Sequence, residues 1–366
     1  MSTVKVEVVE IEAVHPHTNA DRLEVAKIKG WYCVVGKGQF KPGDRAVYFP
    51  IDSVLPKELE AKLFPPTSKI TLSKGRVKTI KIRGMVSQGL LVTPEQVDMH
   101  YAPVGTDGTS ALGVTKYEPE LSTMPKNMMP TAKRHRNPHF KEYTDMENGK
   151  NFPTMFREDE RVMATEKVHG TNFRCGWVPF LPETWWQKVK HYLFPTWSPK
   201  FEFVYGSRRV QLQKKLYNGF YAENVYGKMV TQYNLETTIP HGFVIYGEIY
   251  GDGIQKGYTY GMGHGEHAMV LFEVFDTQRG FYLTPSEVVE FARNTSLPLV
   301  PILYEGEFSM EKMKALTVGP SVIHSSQVIR EGVVVRSHEE EESMYGRRIL
   351  KFISDEYLLK DQTDFH

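Results

Sequence analysis

Apolar and polar residues alternate in short runs along the first hundred positions. Residues 4–11 alternate around Glu7 and Glu10, and 23–28, 31–35, 45–49 and 77–82 are further runs of strand character. Gly30, Gly36, Gly38, Pro42-Gly43 and Gly84 punctuate them. Short strands with glycine turns predict a small closed β-barrel over residues 1–100, and no sustained helical period competes before Pro94. The pattern then fades among Pro103, Gly105, Gly108, Gly113, Pro119, Pro125, Pro130 and Pro138, so residues 101–145 read as a linker or extended segment. Regular structure resumes near Phe152. Strands are expected at 161–167, 172–178, 201–205, 243–249, 268–275 and 332–336, and helices at 218–235, 286–294 and 309–317. Ser286 is the expected N-cap of the second helix. Residues 146–366 therefore read as a second domain, and the chain as α+β.

Bulk composition narrows the class. The 366 residues exceed one ordinary core. With 40% hydrophobic and 24% charged residues, the balance is that of a globular protein. No apolar run approaches the roughly 20 residues that span a bilayer, and the first residues lack a signal-peptide layout. Two distant cysteines, Cys33 and Cys175, argue against a disulfide framework and for a reducing cytoplasm. A net charge of +1 makes no global case for nucleic acid, so that case rests on local patches.

The chemistry concentrates at Thr165-Glu166-Lys167-Val168-His169-Gly170-Thr171-Asn172-Phe173. A lysine ends one expected strand, a glycine serves the turn, and a second strand follows. This layout presents the lysine amine at the lip of a sheet. Alone, the pattern K-x-x-G is common and fits an exposed lysine in a hairpin. Downstream come Gly206-Ser207-Arg208-Arg209, Tyr246-Gly247-Glu248-Ile249, Leu271-Phe272-Glu273-Val274, Glu331-Gly332-Val333-Val334-Val335-Arg336 and Ile349-Leu350-Lys351-Phe352. Each segment is weak singly and fits an ordinary core strand.

In this order the segments resemble the nucleotidyltransferase motifs of covalent ligases and capping enzymes. E-K-V-H-G-T-N-F resembles the RNA ligase form of the first motif. The whole chain resembles the Deinococcus-type ATP-dependent RNA ligases. Phe40 to Pro50 and Ile82 to Leu90 look like that family's OB-type module, and Tyr143-Thr144-Asp145 with Asn148 to Pro153 like the lead-in to its catalytic domain. The resemblance implies an OB-type β-barrel followed by a nucleotidyltransferase (ATP-grasp-like ligase) domain of antiparallel sheets flanked by helices. It implies ATP as co-substrate and Mg²⁺ or Mn²⁺. The implied partner is RNA, or an RNA-containing nicked duplex with 3′-OH and 5′-phosphate ends. No membrane is expected, and the chain is expected to be a cytoplasmic monomer.

The resemblance also assigns roles by position. Lys167 is the nucleophile that takes AMP. Glu248 and Glu331 are the metal residues, acting through the metal's waters. Phe272 would stack on adenine and Val334 would cover its other face. Glu166 would flank the adenine edge, Asn172 the acceptor side or phosphate, Arg208 the ribose, phosphate or 3′ end, and Lys351 the α-phosphate. His169 stands where many relatives have an acidic residue, and either bonds a metal-bound water or pins the hairpin. Lys351 is followed by Phe352 and Ile353 rather than completing K-x-K, so one phosphate lysine is either absent or replaced by Arg347 or Arg348.

The barrel carries a signal of its own. Lys69, Lys74, Arg76, Lys78, Lys81 and Arg83 fall together without an acidic residue, and a basic strand pair of this kind follows a phosphate backbone. Lys126, Lys133, Arg134 and Arg136 form a second cluster. Trp31 and Tyr32 are expected in the core rather than under a base, and residues 261–267 in a glycine-rich surface loop. Residues 183–193 read as an inserted helix or lid that packs on the domain. The competing functions are a capping-type guanylyltransferase or DNA ligase, and a non-enzymatic tRNA- or RNA-binding OB protein. The first usually carries a barrel after the fifth motif, for which the twelve residues beyond Ser354 leave no room. The second leaves Lys167, Glu248, Glu331 and Lys351 without a role.

Overall fold

The computed structural model describes residues 4–65, 72–117, 137–182, 185–193, 200–212, 224–339, 342–343 and 346–359. Lys69, Lys126, Lys133, Arg134 and Arg136 lie outside them, as does the first part of the helix expected at 218–235. The chain divides into two units. Residues 1–120, 145–155 and 352–366 form one, and 121–144 with 156–351 the other.

The alternating runs of the first unit become β1 (Glu7–Glu10), β2 (Ala13–Pro16), β3 (Leu23–Ile28), β4 (Trp31–Gly36), β5 (Arg45–Phe49) and β6 (Ser53–Val54). After α1 (Lys57–Leu63) come β7 (Thr79–Ile82), β8 (Met85–Gln88), β9 (Leu90–Val92) and β10 (Thr115–Lys116). The strands pair in the orders β1-β5-β9, β2-β3-β4, β7-β8 and β10-β6. Alternation decides which face each residue takes. Ala46 and Tyr48 of β5 join Val9, Ile11, Ile28, Trp31 and Cys33 in the barrel interior. Val47 and Phe49 face the other way, into a second cluster with Val6, Val8, Val92 and Val114. Both faces of β5 thus need cover, and residues 101–117 supply part of it. Gly105 N–H donates to Val8 O at 2.8 Å, and Val6 N–H to Thr109 Oγ1 at 2.8 Å. This stretch differs from the linker expected there: its glycines and prolines serve tight turns against β1. Trp31 is core, as expected, but Tyr32 points outward.

Residues 145–155 carry β11 (Glu147–Asn148). They close on the barrel within this unit: Trp31 Nε1 donates to Asn151 Oδ1 at 2.7 Å, and Gly30 N–H to Lys150 O at 3.1 Å. Lys150 Nζ is buried between Gln88 Oε1 at 2.8 Å and Asp355 Oδ1 at 2.9 Å.

The second unit is built on two antiparallel sheets. Its elements run β12 (Arg161–Lys167), β13 (Thr171–Pro179), α2 (Trp185–Leu193), β14 (Phe201–Ser207), β15 (Gln211–Leu212), α3 (Val225–Gln232), α4 (Leu235–Thr238), β16 (Phe243–Gly251) and β17 (His267–Asp276). Then follow β18 (Phe281–Tyr282), α5 (Pro285–Thr295), β19 (Ile302–Glu307), α6 (Met310–Leu316), β20 (Gly332–Ser337), β21 (Glu342–Ser343), β22 (Gly346–Arg347) and β23 (Ile349–Ile353). The six-stranded sheet has the order β15-β14-β13-β16-β17-β18. In the other sheet β20 lies between β23 and β12, with β19 at the edge. One face of the six-stranded sheet packs Phe173, Cys175, Ile245, Ile249 and Leu271 against Val225, Met229, Leu235, Val288 and Phe291 of α3, α4 and α5. Asn234, in the left-handed region, divides the expected long helix into α3 and α4. The N-cap of α5 is Thr284, not Ser286. Its side chain accepts from Glu287 N–H, Glu287 reaches back, and Pro285 takes the first helical position where no donor is needed. Such a cap contributes about 1 kcal/mol.

Candidate active site

The sheet face turned away from that core carries the chemistry. On β13 the alternation places Asn172 and Arg174 opposite to Phe173 and Cys175. Asn172 pairs across strands with Glu248 of β16. On β17 the register slips: Tyr246 faces Glu273 while Gly247 faces Leu271, so Phe272 is an inserted bulge residue. The bulge flips the parity of the strand. Leu271 and Val274 both reach the core, and Phe272 and Glu273 both face the other side.

Glu273 is fully buried and joins the two sheets. Arg336 Nη1 of β20 donates to its Oε1 at 2.7 Å, Arg347 Nη2 to its Oε2 at 2.9 Å, and Tyr143 Oη to its Oε2 at 3.4 Å. Val334 shares the Arg336 face of β20 and is half-buried opposite Thr165. Phe272, half-buried beside Glu273, meets the Tyr143 ring edge-on at 4.9 Å. Phe272 and Val334 therefore flank the seam fastened by the Arg336–Glu273 pair.

Lys167 ends β12 opposite Gly332. Its ammonium donates to Glu331 Oε1, and His169 Nδ1 stands 3.5 Å from Glu331 Oε2. Burial pushes the Glu331 carboxyl up, but the Lys167 charge and His169 outweigh it and hold it at about 2. Glu248 goes the opposite way. Burial raises it to about 8 with help from the charge of Glu331, against the pull of Lys167, the Gly170 N–H and Arg208. One residue of the turn is dictated by crowding: a Cβ on Gly170 would lie 2.1 Å from Ile249 O. Arg174, fully buried, donates from Nε to Ser207 O at 2.9 Å and so fixes the strand end that carries Arg208.

Three buried oxygens here have no hydrogen-bond partner among the described residues: Glu166 Oε1, Asn172 Oδ1 and Glu331 Oε2. Leaving such an atom unmatched costs about 1–3 kcal/mol, so each is a candidate ligand contact. Glu166 N–H donates to Pro301 O at 2.9 Å, and its Oε2 accepts Val322 N–H at 2.8 Å, which leaves the side-chain Oε1 as the available group. Lys351 is buried on β23, the neighbour of β20. Among the described residues no group of three His, Cys, Asp or Glu side chains is arranged to hold a metal ion. The hard oxygens of Glu248, Glu331 and Asn172 still suit a hydrated Mg²⁺ or Mn²⁺ that takes few protein ligands.

Sequence reasoning missed the loop between β16 and β17. Tyr258 and Tyr260 are almost wholly buried. Tyr260 Oη accepts His169 N–H at 2.8 Å, the Tyr258 ring meets the His169 imidazole edge-on at 4.8 Å, and Gln255 Nε2 donates to Gly170 O at 2.8 Å. Their signal was the aromatic pair just before the glycine-rich loop.

In the first unit, Lys74, Lys78, Lys81 and Arg83 are exposed. Lys81 lies on the β7–β8 hairpin, whose turn Arg83-Gly84 has both φ angles positive. Arg76 does not belong with them. It is buried, binds Asp52 Oδ1 through Nε at 3.0 Å and Nη2 at 2.7 Å, and stacks over Tyr117 at 3.7 Å. Its charge serves the barrel.

Comparison with known proteins identifies the family and the fold. The RNA ligase family model matches residues 160–353, more than half of the chain, and an OB-fold domain model matches residues 5–94. No curated protein sequence matches. Among solved structures, a Naegleria gruberi RNA ligase mutant with ATP and Mn aligns at TM-score 0.69 and 25% identity, covering 98% of each chain. A second mutant with ATP and Mn gives 0.70 and 25%, over 96% of this chain and 97% of that one. The same ligase with PPi gives 0.70 and 24%, over 98% of both.

Proposed function

The chain belongs to the RNA ligase family, and from that premise we propose that it is an ATP-dependent ligase of the Deinococcus type that seals RNA ends through Lys167. The observation that carries the proposal is Lys167 at the end of β12, ion-paired to a buried Glu331 that His169 also approaches at 3.5 Å. The deprotonated Nζ attacks the α-phosphate of ATP, a P–N bond forms, and pyrophosphate leaves. A 5′-phosphate oxygen then takes the AMP from lysine, and a 3′-hydroxyl displaces AMP to close the phosphodiester.

Glu331 anchors the resting ammonium and keeps the amine at the strand end. Phe272 and Val334 sandwich the adenine, and Glu166 Oε1 accepts from its amino edge. Asn172, Arg208 and Lys351 hold phosphates or the acceptor end. Glu248 and Glu331 would hold a divalent cation, which when bound supplies positive charge beside the amine and the phosphates. The solved relatives bound to ATP and Mn support both ligands. Lys74, Lys78, Lys81 and Arg83 would follow the backbone of a nicked duplex. The enzyme reads as a cytoplasmic monomer. Its cysteines are buried thiols, and no described helix is long and apolar enough to cross a membrane.

Intact-mass measurement after incubation with ATP and Mg²⁺ tests the reading. The wild type should gain one AMP and Lys167→Ala none. An adduct that survives in Lys167→Ala, or labelling by GTP alone, overturns it.

A further inference from the structure

Helix α2 does not pack as a lid. Trp185 is 65% exposed, Trp186 73%, Tyr192 85% and Leu193 59%. At 3.6 residues per turn, Trp185, Trp186, Val189, Tyr192 and Leu193 fall on one arc of about 120°. The two indoles touch edge to face at 4.4 Å. Lys188, also exposed, lies three residues after Trp185 and four before Tyr192, at the edge of the arc. From Thr184 to Phe201 the sequence has Lys188, Lys190 and Lys200 and no acidic residue. Exposed aromatic faces beside the exposed Lys188, with Lys200 exposed where the chain rejoins the hairpin, suit a single-stranded polyanion: bases stack on the rings while phosphates meet the ammonium groups.

The place of the helix connects this surface to the reacting lysine. β13 and β14 pair from Phe173↔Ser207, next to Asn172 and Arg208, to Pro179↔Phe201. Phe180 N–H then donates to Lys200 O at 3.0 Å. The hairpin is thus a ruler of about 20 Å, with the candidate active site at one end and α2 tethered to the other. We infer that α2 is an RNA-stacking platform that holds unpaired bases of the substrate several nucleotides from the joined end. This inference rests on the RNA ligase reading. An apolar arc edged by lysine could also lie on an anionic lipid surface. The tether to the active-site hairpin favours RNA.

The double variant Trp185→Ala/Trp186→Ala changes exposed side chains, and its AMP loading on Lys167 without RNA should equal wild type. Affinity is then measured for two labelled single-stranded RNAs, one too short to span about 20 Å and one several times longer. The variant should bind the long RNA about tenfold or more weakly and the short one as wild type does. Wild-type tryptophan emission should quench with the long RNA. Unchanged affinity for the long RNA overturns the inference, as does equal loss at both lengths, or binding to phosphatidylglycerol vesicles with RNA affinity unaffected. Failure of the wild type to load AMP would instead sink the ligase reading, because RNA affinity is read separately.

Discussion

Glu273 and Glu331 are both buried carboxylates of the catalytic unit, 0% and 2% exposed, yet their surroundings differ in kind. Glu273 is met by two guanidinium groups and a phenol, so each of its oxygens has a partner. Glu331 has an ammonium on Oε1 and, on Oε2, only a histidine at 3.5 Å with no hydrogen bond of full geometry. With both oxygens matched, Glu273 fastens two sheets and holds no unpartnered oxygen for a ligand. Glu331, paired with a lysine at a strand end, keeps bonding capacity for one. The difference between structural and reactive charge here is one of saturation, since burial is the same.

Breaking the Glu273 cluster should have the largest effect on folding. Glu273→Gln leaves two arginines without their carboxylate and is expected to cost about 3–5 kcal/mol, read from urea unfolding. A cost under about 1 kcal/mol would mean that the cluster fastens nothing. Glu331→Gln should do the reverse. Lysyl-AMP formation in a rapid-quench assay should fall about 100-fold or more, while stability drops less than in Glu273→Gln. If Glu331→Gln proves the more destabilising and stays active, the contrast between the two sites is void.

Part of the candidate site was legible in the sequence, because strand alternation is local, while Glu331 was singled out only by the resemblance of its motif and Glu273 not at all. Lys167 at a strand end before a glycine, and Glu248 within an apolar run, follow from period-two reading. The bulge at Phe272 did not follow. A single slipped register leaves no mark in composition, yet it decides that Phe272 and Glu273 share a face. Arg76 was misread because a basic run looks alike whether each charge meets solvent or a carboxylate, and Asp52 is 24 positions away. The residues pinning His169 were missed for the same reason: Tyr260 acts across 91 positions. At α5 the signal was present in Thr284-Pro285, and the ring at the first helical position makes threonine the cap.

The two carboxylates near Lys167 also shift in opposite directions, which gives the comparison a pH test. Glu331 is held at about 2, below its unfolded value of 4.5. Its contribution to stability is therefore present above 4.5 and lost as pH falls toward 2. Glu248 is raised to about 8, so the folded state prefers it protonated. As pH rises from 4.5 to 8 the unfolded state ionises first, and Glu248 increasingly destabilises the fold. Without divalent cations, Glu248→Gln should melt near wild type at pH 5 and above it at pH 8 in a thermal scan. A variant that loses ground to wild type as pH rises would show that Glu248 is an ordinary ionised carboxylate.

The smallest expected effect sharpens what holds the reactive cluster in place. Tyr260→Phe removes only the hydroxyl that accepts His169 N–H and leaves the buried ring. The fold should lose about 1 kcal/mol. If that bond does no more than stabilise the loop, AMP loading at saturating ATP will match wild type. If it fixes the turn from Lys167 to Gly170, the loading rate should fall about tenfold with little change in the ATP concentration for half-saturation, since 1.4 kcal/mol of lost positioning is one decade in rate. A rise in the ATP concentration for half-saturation with the loading rate unchanged would assign the bond to nucleotide binding rather than to the turn. The expected split would show that the unsaturated site is held by neutral, remote contacts, which leave its charges available to a nucleotide.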